Sequence, residues 1–553
     1  MKRYINIKTS FIILAAASIV ASGCTKLHET LGSTLTAKES SNFSSLFLQT
    51  AYNDIGVIYE DLGNIIQLQE VSGDECFIPI RGTDWFDGGY HVQLHQHNWT
   101  RSSVSLLETE FTNLNKMNYD ATVVLGTQAS PDQFAQARFI RCIALYDLLD
   151  LFGQFPLRQP GDNLLTAPPV YSGDSAVQFL VTELNTCIAN LSPTNGTTLA
   201  NQDAARALLM KVYLNRGAFL NRATPSFADA DMQQVITLGT QIMGNTAHGY
   251  ESNYFNVFSP TNSGTKESLF SLPNAHGANT GSGFYGNIQN QWYSTLHYNQ
   301  YTPLNPQAGW NGFSTMGEFY NTFGVNGTIP TQTPADTVLD QRIGGTAYPG
   351  ETDASGLRTG ILEGQQYDQN GVAEQDRHNH GLIFTNAEEV PSTIDVSLIP
   401  QLETSGYRVI KYIPDYSGGA TTYQVPGNYY VLYRYADVVL MVAEAKMRQT
   451  AADNAGALAL VNTLRTARSA PPLATMAVVN STNVYDPNTL LAERGRELYW
   501  EGQRRTDLIR FGVWNIAWRL KPADNGNFYV FPIPLDDLNS NPNLIPNLQG
   551  SNY

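Results

Sequence analysis

Three groupings of residues in this chain could do chemistry: carboxylates beside arginines, closely spaced histidines, and aromatics set among glycines and polar side chains. Glu493, Glu497 and Glu501 recur every fourth residue in a stretch that reads as one helix, Glu493–Arg510, interleaved with Arg494, Arg496, Arg504 and Arg505. A carboxylate pair can hydrolyse a glycoside, but the two groups must flank a cleft about 5 to 9 Å apart. Neighbours on one helix face more simply pair with arginines of adjacent helices. Arg434, Asp437 and Glu444 read the same way, as partners joining helix to helix.

His91, His95 and His97 lie in YHVQLHQHNW, and His378 and His380 in RHNH. Short spacings of this kind can bind a metal. No further cysteine, histidine or carboxylate follows at a regular distance, so loop or surface histidines are expected and no metal site. No Gly-x-Ser-x-Gly elbow, phosphate-cradling glycine loop or His-Glu-x-x-His motif is present. The expectation is a protein that is not an enzyme and needs no cofactor. Asp336 and Asp340 are acidic loop residues that could contribute to a structural calcium ion.

The aromatic segments carry the clearer signal. A pyranose ring shows C–H groups on one face and hydroxyls around its edge. Its site therefore wants a flat aromatic platform with a few polar groups aimed at the rim. Rigid Trp and Tyr lose little entropy on binding. In Asp74–Trp99 the stretch Arg81–Tyr90 (RGTDWFDGGY) combines aromatics, acids, an arginine and glycines. Gln291–Phe313 holds Trp292, Tyr293, His297, Tyr298, Tyr301 and Trp310 beside Asn311.

The elements that must position these segments are mostly helical. Apolar residues at three- and four-residue spacings run from Phe43 and Leu46 onward, over Pro131–Leu151, Ser175–Ala189 and Asn201–Asn215, and again over Tyr429–Arg448 and Asn454–Arg468. Ala436, Ala443 and Ala445 permit close helix approach, as in the stacked helix pairs of tetratricopeptide-type repeats. Between about Gly249 and Gly427 the periodicity gives way to Gly, Asn, Thr, Pro and aromatics. Long irregular stretches of this kind are usually functional surface.

The N-terminus reads as a targeting segment. Lys2 and Arg3 precede an apolar run from Phe11 to Val20 that is too short to span a bilayer, and Ala21-Ser22-Gly23 lead into Cys24. This predicts a signal peptide over 1–23, lipidation of Cys24, and a polar tether over 24–42. Each buried methylene contributes roughly 0.8 kcal/mol, so several acyl chains hold a protein on a membrane essentially permanently. Cys76, Cys142 and Cys187 remain, an odd number far apart and no disulfide framework. Cys142 and Cys187 fall in apolar helical stretches, as small buried hydrophobes. Charged residues are 15% of the chain and the net charge is −16, which argues against nucleic acid or an anionic lipid surface as partner.

Three C-terminal segments resemble the SusD/RagB family of nutrient-binding outer-membrane lipoproteins. They are Leu432–Ala445 (LYRYADVVLMVAEA), Leu491–Arg510 (LAERGRELYWEGQRRTDLIR), and Phe531-Pro532-Ile533-Pro534 followed by Asn541-Pro542-Asn543-Leu544. The Ala137–Pro156 stretch, ending in LFGQFP, and the Ala204–Leu214 helix extend the likeness over nearly the whole chain after Cys24. The resemblance implies a mainly α fold. Four tetratricopeptide-like helix pairs would form a scaffold, and a large loop-rich region would carry the ligand site. The expected regions are an N-terminal helical part over 43–248, the ligand-binding loops over 249–427 and a C-terminal helical part over 428–553. Because SusD-like proteins build their sugar site from loops at the two aromatic segments, the resemblance nominates Asp74, Arg81, Trp85, Tyr298 and Trp310. Trp85 and Trp310 would stack on a sugar ring, while Asp74 and Arg81 would hydrogen-bond its hydroxyls. The implied partner is a SusC-like TonB-dependent β-barrel transporter that receives oligosaccharide or polysaccharide at the cell surface, with the membrane engaged through the lipid anchor alone. A peptide or another nutrient as ligand stays open, and an envelope glycoside hydrolase is less favoured.

Overall fold

The computed structural model describes residues 41–102, 104–274, 287–302, 305–324, 340–344, 357–368, 370–386, 399–415, 426–546 and 548. Cys24, the targeting segment and Asp336 lie outside the described residues.

Eight helices form the scaffold: α1 (Ser41–Tyr59), α2 (Leu106–Leu125), α3 (Pro131–Phe152), α4 (Gly173–Asn190), α5 (Gln202–Leu220), α6 (Asp229–Met243), α7 (Tyr435–Arg448) and α8 (Asn454–Ala467). Each packs on the next in chain order, α1 on α2 through to α7 on α8, which makes four helix pairs in one stack. Local chemistry sets their ends. Ser130 and Gln133 form a capping box at the start of α3, Pro131 takes the first turn, and Gly153 at φ 74° closes the helix in the left-handed region. The Asn201 side chain caps α5 and also donates to the Leu269 carbonyl at 2.8 Å, tying the helix to the sheet behind it. Close approach is used where α6 meets α7, since a Cβ on Gly239 would sit 2.2 Å from the Val442 side chain. Ala436, Ala443 and Ala445 are fully buried in α7, as are Cys142 and Cys187 in α3 and α4.

Two expected helices are corrected. The Tyr429–Arg448 stretch divides into a strand, β2 (Tyr430–Arg434), and α7. β2 pairs antiparallel with β1 (Ser268–Leu272), and its aromatic and β-branched residues suit that buried pair. The Glu493–Arg510 stretch is likewise two helices, α9 (Leu490–Leu498) and α10 (Arg504–Arg510). Trp500 at φ 57° and Gly502 at φ 70° turn the chain between them.

The carboxylates of this region are buried ion-pair partners. Glu497 accepts from Arg434 at 2.7 Å, Arg468 at 2.7 Å and Arg342 at 3.1 Å. Glu493 meets Arg342, Arg465 and Arg496, and Glu501 meets Arg434 and Lys411. Asp437 holds Lys211 and Arg494, and Glu444 holds Arg510 and Arg448. The network pins α7, α8, α9 and α10 to β2 and to the loop around Arg342. Asp340, one of the two acids considered for calcium, instead places both carboxylate oxygens on Arg342, at 2.9 and 2.8 Å.

Candidate functional site

The loop-rich side of the molecule is built around two buried arginines. Arg81 is 1% exposed. Its guanidinium donates to the backbone carbonyls of Asn311, Leu402 and Ser405 and to the Ser314 hydroxyl. Burial lowers it to about 9, against the opposing pull of Tyr298 and Glu403. Arg408 beside it donates to Asn311 Oδ1 at 2.8 Å and to the Glu403 carbonyl at 3.0 Å. Together they fasten the 311–314 segment to the 402–406 turn.

On this base, residues 81–89 form a tight loop closed by two backbone hydrogen bonds between Arg81 and Asp84. Its backbone is left-handed at Gly82, Trp85, Asp87, Gly88 and Gly89. For glycine this is free of Cβ strain. For Trp85, at φ 60°, it costs on the order of 1–2 kcal/mol, which the surroundings must offset. They do so by fixing the indole. Trp85 Nε1–H donates to the Trp310 carbonyl at 2.7 Å, and the ring meets Phe313 edge-on at 6.1 Å between centroids. Gly312 leaves room for it, since a Cβ there would lie 2.3 Å from the indole. Trp310 in turn packs on Tyr293, with centroids 6.0 Å apart, and the following residue, Asn311, is left-handed at φ 56°. Both tryptophans remain half-buried.

Tyr298 joins the same surface through Asp84. Its hydroxyl donates to Asp84 Oδ2 at 2.7 Å, and burial together with that carboxylate keeps the phenol protonated far above its usual range. The Arg377 guanidinium lies 3.7 Å from the Tyr298 ring centroid and is itself tied to the buried Glu403. Burial raises the Glu403 carboxyl, but His297 and Arg377 outweigh burial and bring it down to about 2. Side chains of Trp85, Trp310 and Tyr298 thus share one region. The polar groups beside them are Asp84 (45% exposed) and Arg377 (41% exposed).

Asp74 and Arg81 are corrected as ligand contacts. Asp74 is fully buried, with its two oxygens 2.5 and 2.7 Å from Arg504 nitrogens, and Arg81 is consumed by the carbonyls above. Both shape the loops from behind. The residues that sequence reasoning passed over are Asp84, which stood inside the RGTDWFDGGY stretch, and Arg377, whose RHNH context was read for its histidines alone. The histidine expectation divides. His378 and His380 are exposed, but His91, His95 and His97 are buried in the short helix Tyr90–Gln96 and its C-cap. The His95 ring lies between the Val71 and Arg519 carbonyls. The His97 ring lies between Asp524 and the Ser72 carbonyl and stacks on Trp514 at 4.0 Å. Among the described residues no group of three or more His, Cys, Asp or Glu side chains is placed to hold a metal ion. In chemical terms, the surface offers aromatic faces with hydrogen-bonding groups at their margin, suited to a ring with an apolar face and a polar edge.

A model of the SusD family matches residues 261–517. The starch-binding protein SusD of Bacteroides thetaiotaomicron is 25% identical over 516 residues, covering 86% of this chain and 84% of that protein. A crystal structure of a SusD-like protein from Bacteroides fragilis superposes with a TM-score of 0.64 at 18% identity, over 92% of this chain and 97% of that one. A laminarin-binding SusD-like protein gives 0.64 at 17% identity, over 92% and 99%. No helix among the described residues is long and apolar enough to cross a membrane.

Proposed function

Because this chain belongs to the SusD/RagB family, we propose that it captures oligosaccharide or polysaccharide and performs no catalysis of its own. Relatives whose names record starch or laminarin binding support the ligand class. The observation that carries the reading is the Trp85 loop. A tryptophan held in left-handed backbone, its indole N–H fixed to the carbonyl of a second half-buried tryptophan, is rigid before any ligand arrives. Pre-formed aromatic contact area binds a sugar face with little loss of side-chain entropy. Tyr298 extends the surface, and Asp84 and Arg377 are the groups placed to meet hydroxyls.

The same reading anchors the chain in the outer membrane through lipidated Cys24, facing the cell exterior. From there it hands glycan to a SusC-like TonB-dependent barrel. The anchor is testable by metabolic labelling with a fatty-acid analogue, which Cys24→Ala abolishes if the reading is right. The ligand class is tested by affinity electrophoresis of the chain starting after Cys24 through gels containing plant, microbial and host polysaccharides. Retardation on a glycan, lost in Trp310→Ala, supports the proposal. Migration unchanged on every glycan, with binding to peptides instead, would transfer the same surface to a different nutrient.

A further inference from the structure

A second site lies away from the aromatic loops, along the first helix. There a groove of about 590 Å³ runs beside α1 between Gln49, Asn53 and Val57 on one side and Leu199, Leu272 and Asn274 on the other. That is within the range of small-molecule sites. Its walls are partly apolar, with Val57 47% and Leu199 40% exposed. Glu60 also lines it, although that residue is only 7% exposed.

Glu60 is unusual for a carboxylate so deeply placed. It directly follows α1, and its carboxyl lies beside Gly56 one turn earlier, 3.7 Å from where a Cβ would stand. Among the described residues its side-chain donor is the Asn274 amide, at 3.2 Å, and that same nitrogen donates at 2.9 Å to the Asn428 carbonyl. Among the described residues no cation pairs with Glu60, and no Lys, Arg or His lines the groove. Buried carboxylates such as Glu493 and Glu497 are saturated by arginines, whereas Glu60, like the buried Glu110, has no cationic partner among the described residues, and Glu60 lines this groove. Burial raises the Glu60 carboxyl to about 7, with Asn274 acting in the opposite sense. A buried carboxyl without a cationic partner is costly in its charged form, and none of the described residues supplies that partner.

We propose that this groove binds a protonated primary amine carried on a compact apolar body, with the ammonium on Glu60 and the body between Val57 and Leu199. Gln49, Asn53 and Gln133 at the groove's edge can accept or donate to further polar atoms of the ligand. This site is separate from the glycan surface and does not depend on that assignment.

The test is calorimetric titration of the purified full-length protein with n-hexylamine, 1-hexanol and hexanoate, which share one chain and differ in charge. Charge-assisted hydrogen bonds are roughly twice as strong as neutral ones. Hexylamine should therefore bind at one site about tenfold or more tighter than either comparison ligand. Glu60→Gln should remove that preference. Leu199→Trp, which fills the groove from its exposed wall, should weaken hexylamine while leaving Glu60 in place, and Trp85→Ala should leave hexylamine binding unchanged. Equal binding of hexanol and hexylamine, no binding of hexylamine, or hexylamine binding that survives both groove variants overturns the proposal.

Discussion

Replacing Glu497 by glutamine removes the charge on which three buried arginines converge. Arg342, Arg434 and Arg468 reach its carboxylate at 3.1, 2.7 and 2.7 Å, and all four side chains are no more than 1% exposed. Glutamine keeps the shape and one acceptor oxygen, but its amide NH₂ must then face a guanidinium. Breaking a buried pair by removing one partner costs about 3–5 kcal/mol, because the remaining charge is left uncompensated. Arg434 and Arg468 retain Glu267, and Arg342 retains Asp340 and Glu493, so the lower end, about 3 kcal/mol, is expected. That is a large share of the roughly 5–15 kcal/mol typical of a folded domain. Urea unfolding followed by tryptophan fluorescence at pH 7 measures it as a lower midpoint with unchanged slope. Burial raises the Glu497 carboxyl, yet Arg468, Arg434 and Arg342 outweigh burial and hold it far below the usual carboxylate range. Its contribution is therefore present above the unfolded carboxyl's range and is lost only as pH falls through the depressed native value. The difference between wild type and variant should persist at neutral pH and shrink only in strong acid. A loss below about 1 kcal/mol at pH 7 would refute the view that this network holds the C-terminal helices together.

Three further outcomes follow from single sites. Glu110 is buried with only Asn113 near to soften it, and burial raises its carboxyl to about 8. A raised acid destabilises the fold as pH climbs from the ordinary carboxyl range through that value. Glu110→Gln should thus match wild type in melting temperature near pH 5 and exceed it near pH 9, by up to about 4 kcal/mol of stability. Gly312→Ala forces a methyl against the Trp85 indole and should cost about 1–3 kcal/mol in denaturant unfolding. It should also weaken glycan retention in affinity gels. Asp74→Asn breaks the buried bidentate pair with Arg504 and should lower the unfolding midpoint by about 3 kcal/mol or more. In the fraction that folds, glycan affinity should be unchanged, the opposite of what a hydroxyl-binding role requires.

How much was legible in the sequence depended on whether the deciding partner was local. The α3 helix shows its whole span in a capping box, an N-terminal proline, three- and four-residue spacing and a closing glycine. The stack of helix pairs follows from such patterns repeated. The ion-pair reading of Glu493, Glu497 and Glu501 also held, because residue type alone predicts that carboxylates among arginines will pair. Asp74 shows the limit. Its partner Arg504 is 430 residues away, and nothing in DECFIPIRG distinguishes a carboxylate bound for the core from one bound for a ligand. Trp500 ended a helix that periodicity carried straight through, since a non-glycine residue in left-handed backbone has no compositional mark. The aromatic platform was half visible. Tryptophans among glycines pointed to the loops, but Arg377 lies over Tyr298 only because the 375–381 turn returns to them in space.

The most direct test of the central claim is calorimetric titration of a retained oligosaccharide into wild-type protein and into Trp85→Ala, with far-UV circular dichroism showing that both are folded. Binding to wild type and at least a tenfold weaker association for the variant are expected, because the rigid platform is gone. Undiminished affinity in a folded Trp85→Ala protein would contradict it, leaving the strained tryptophan as a structural pin and placing the ligand elsewhere.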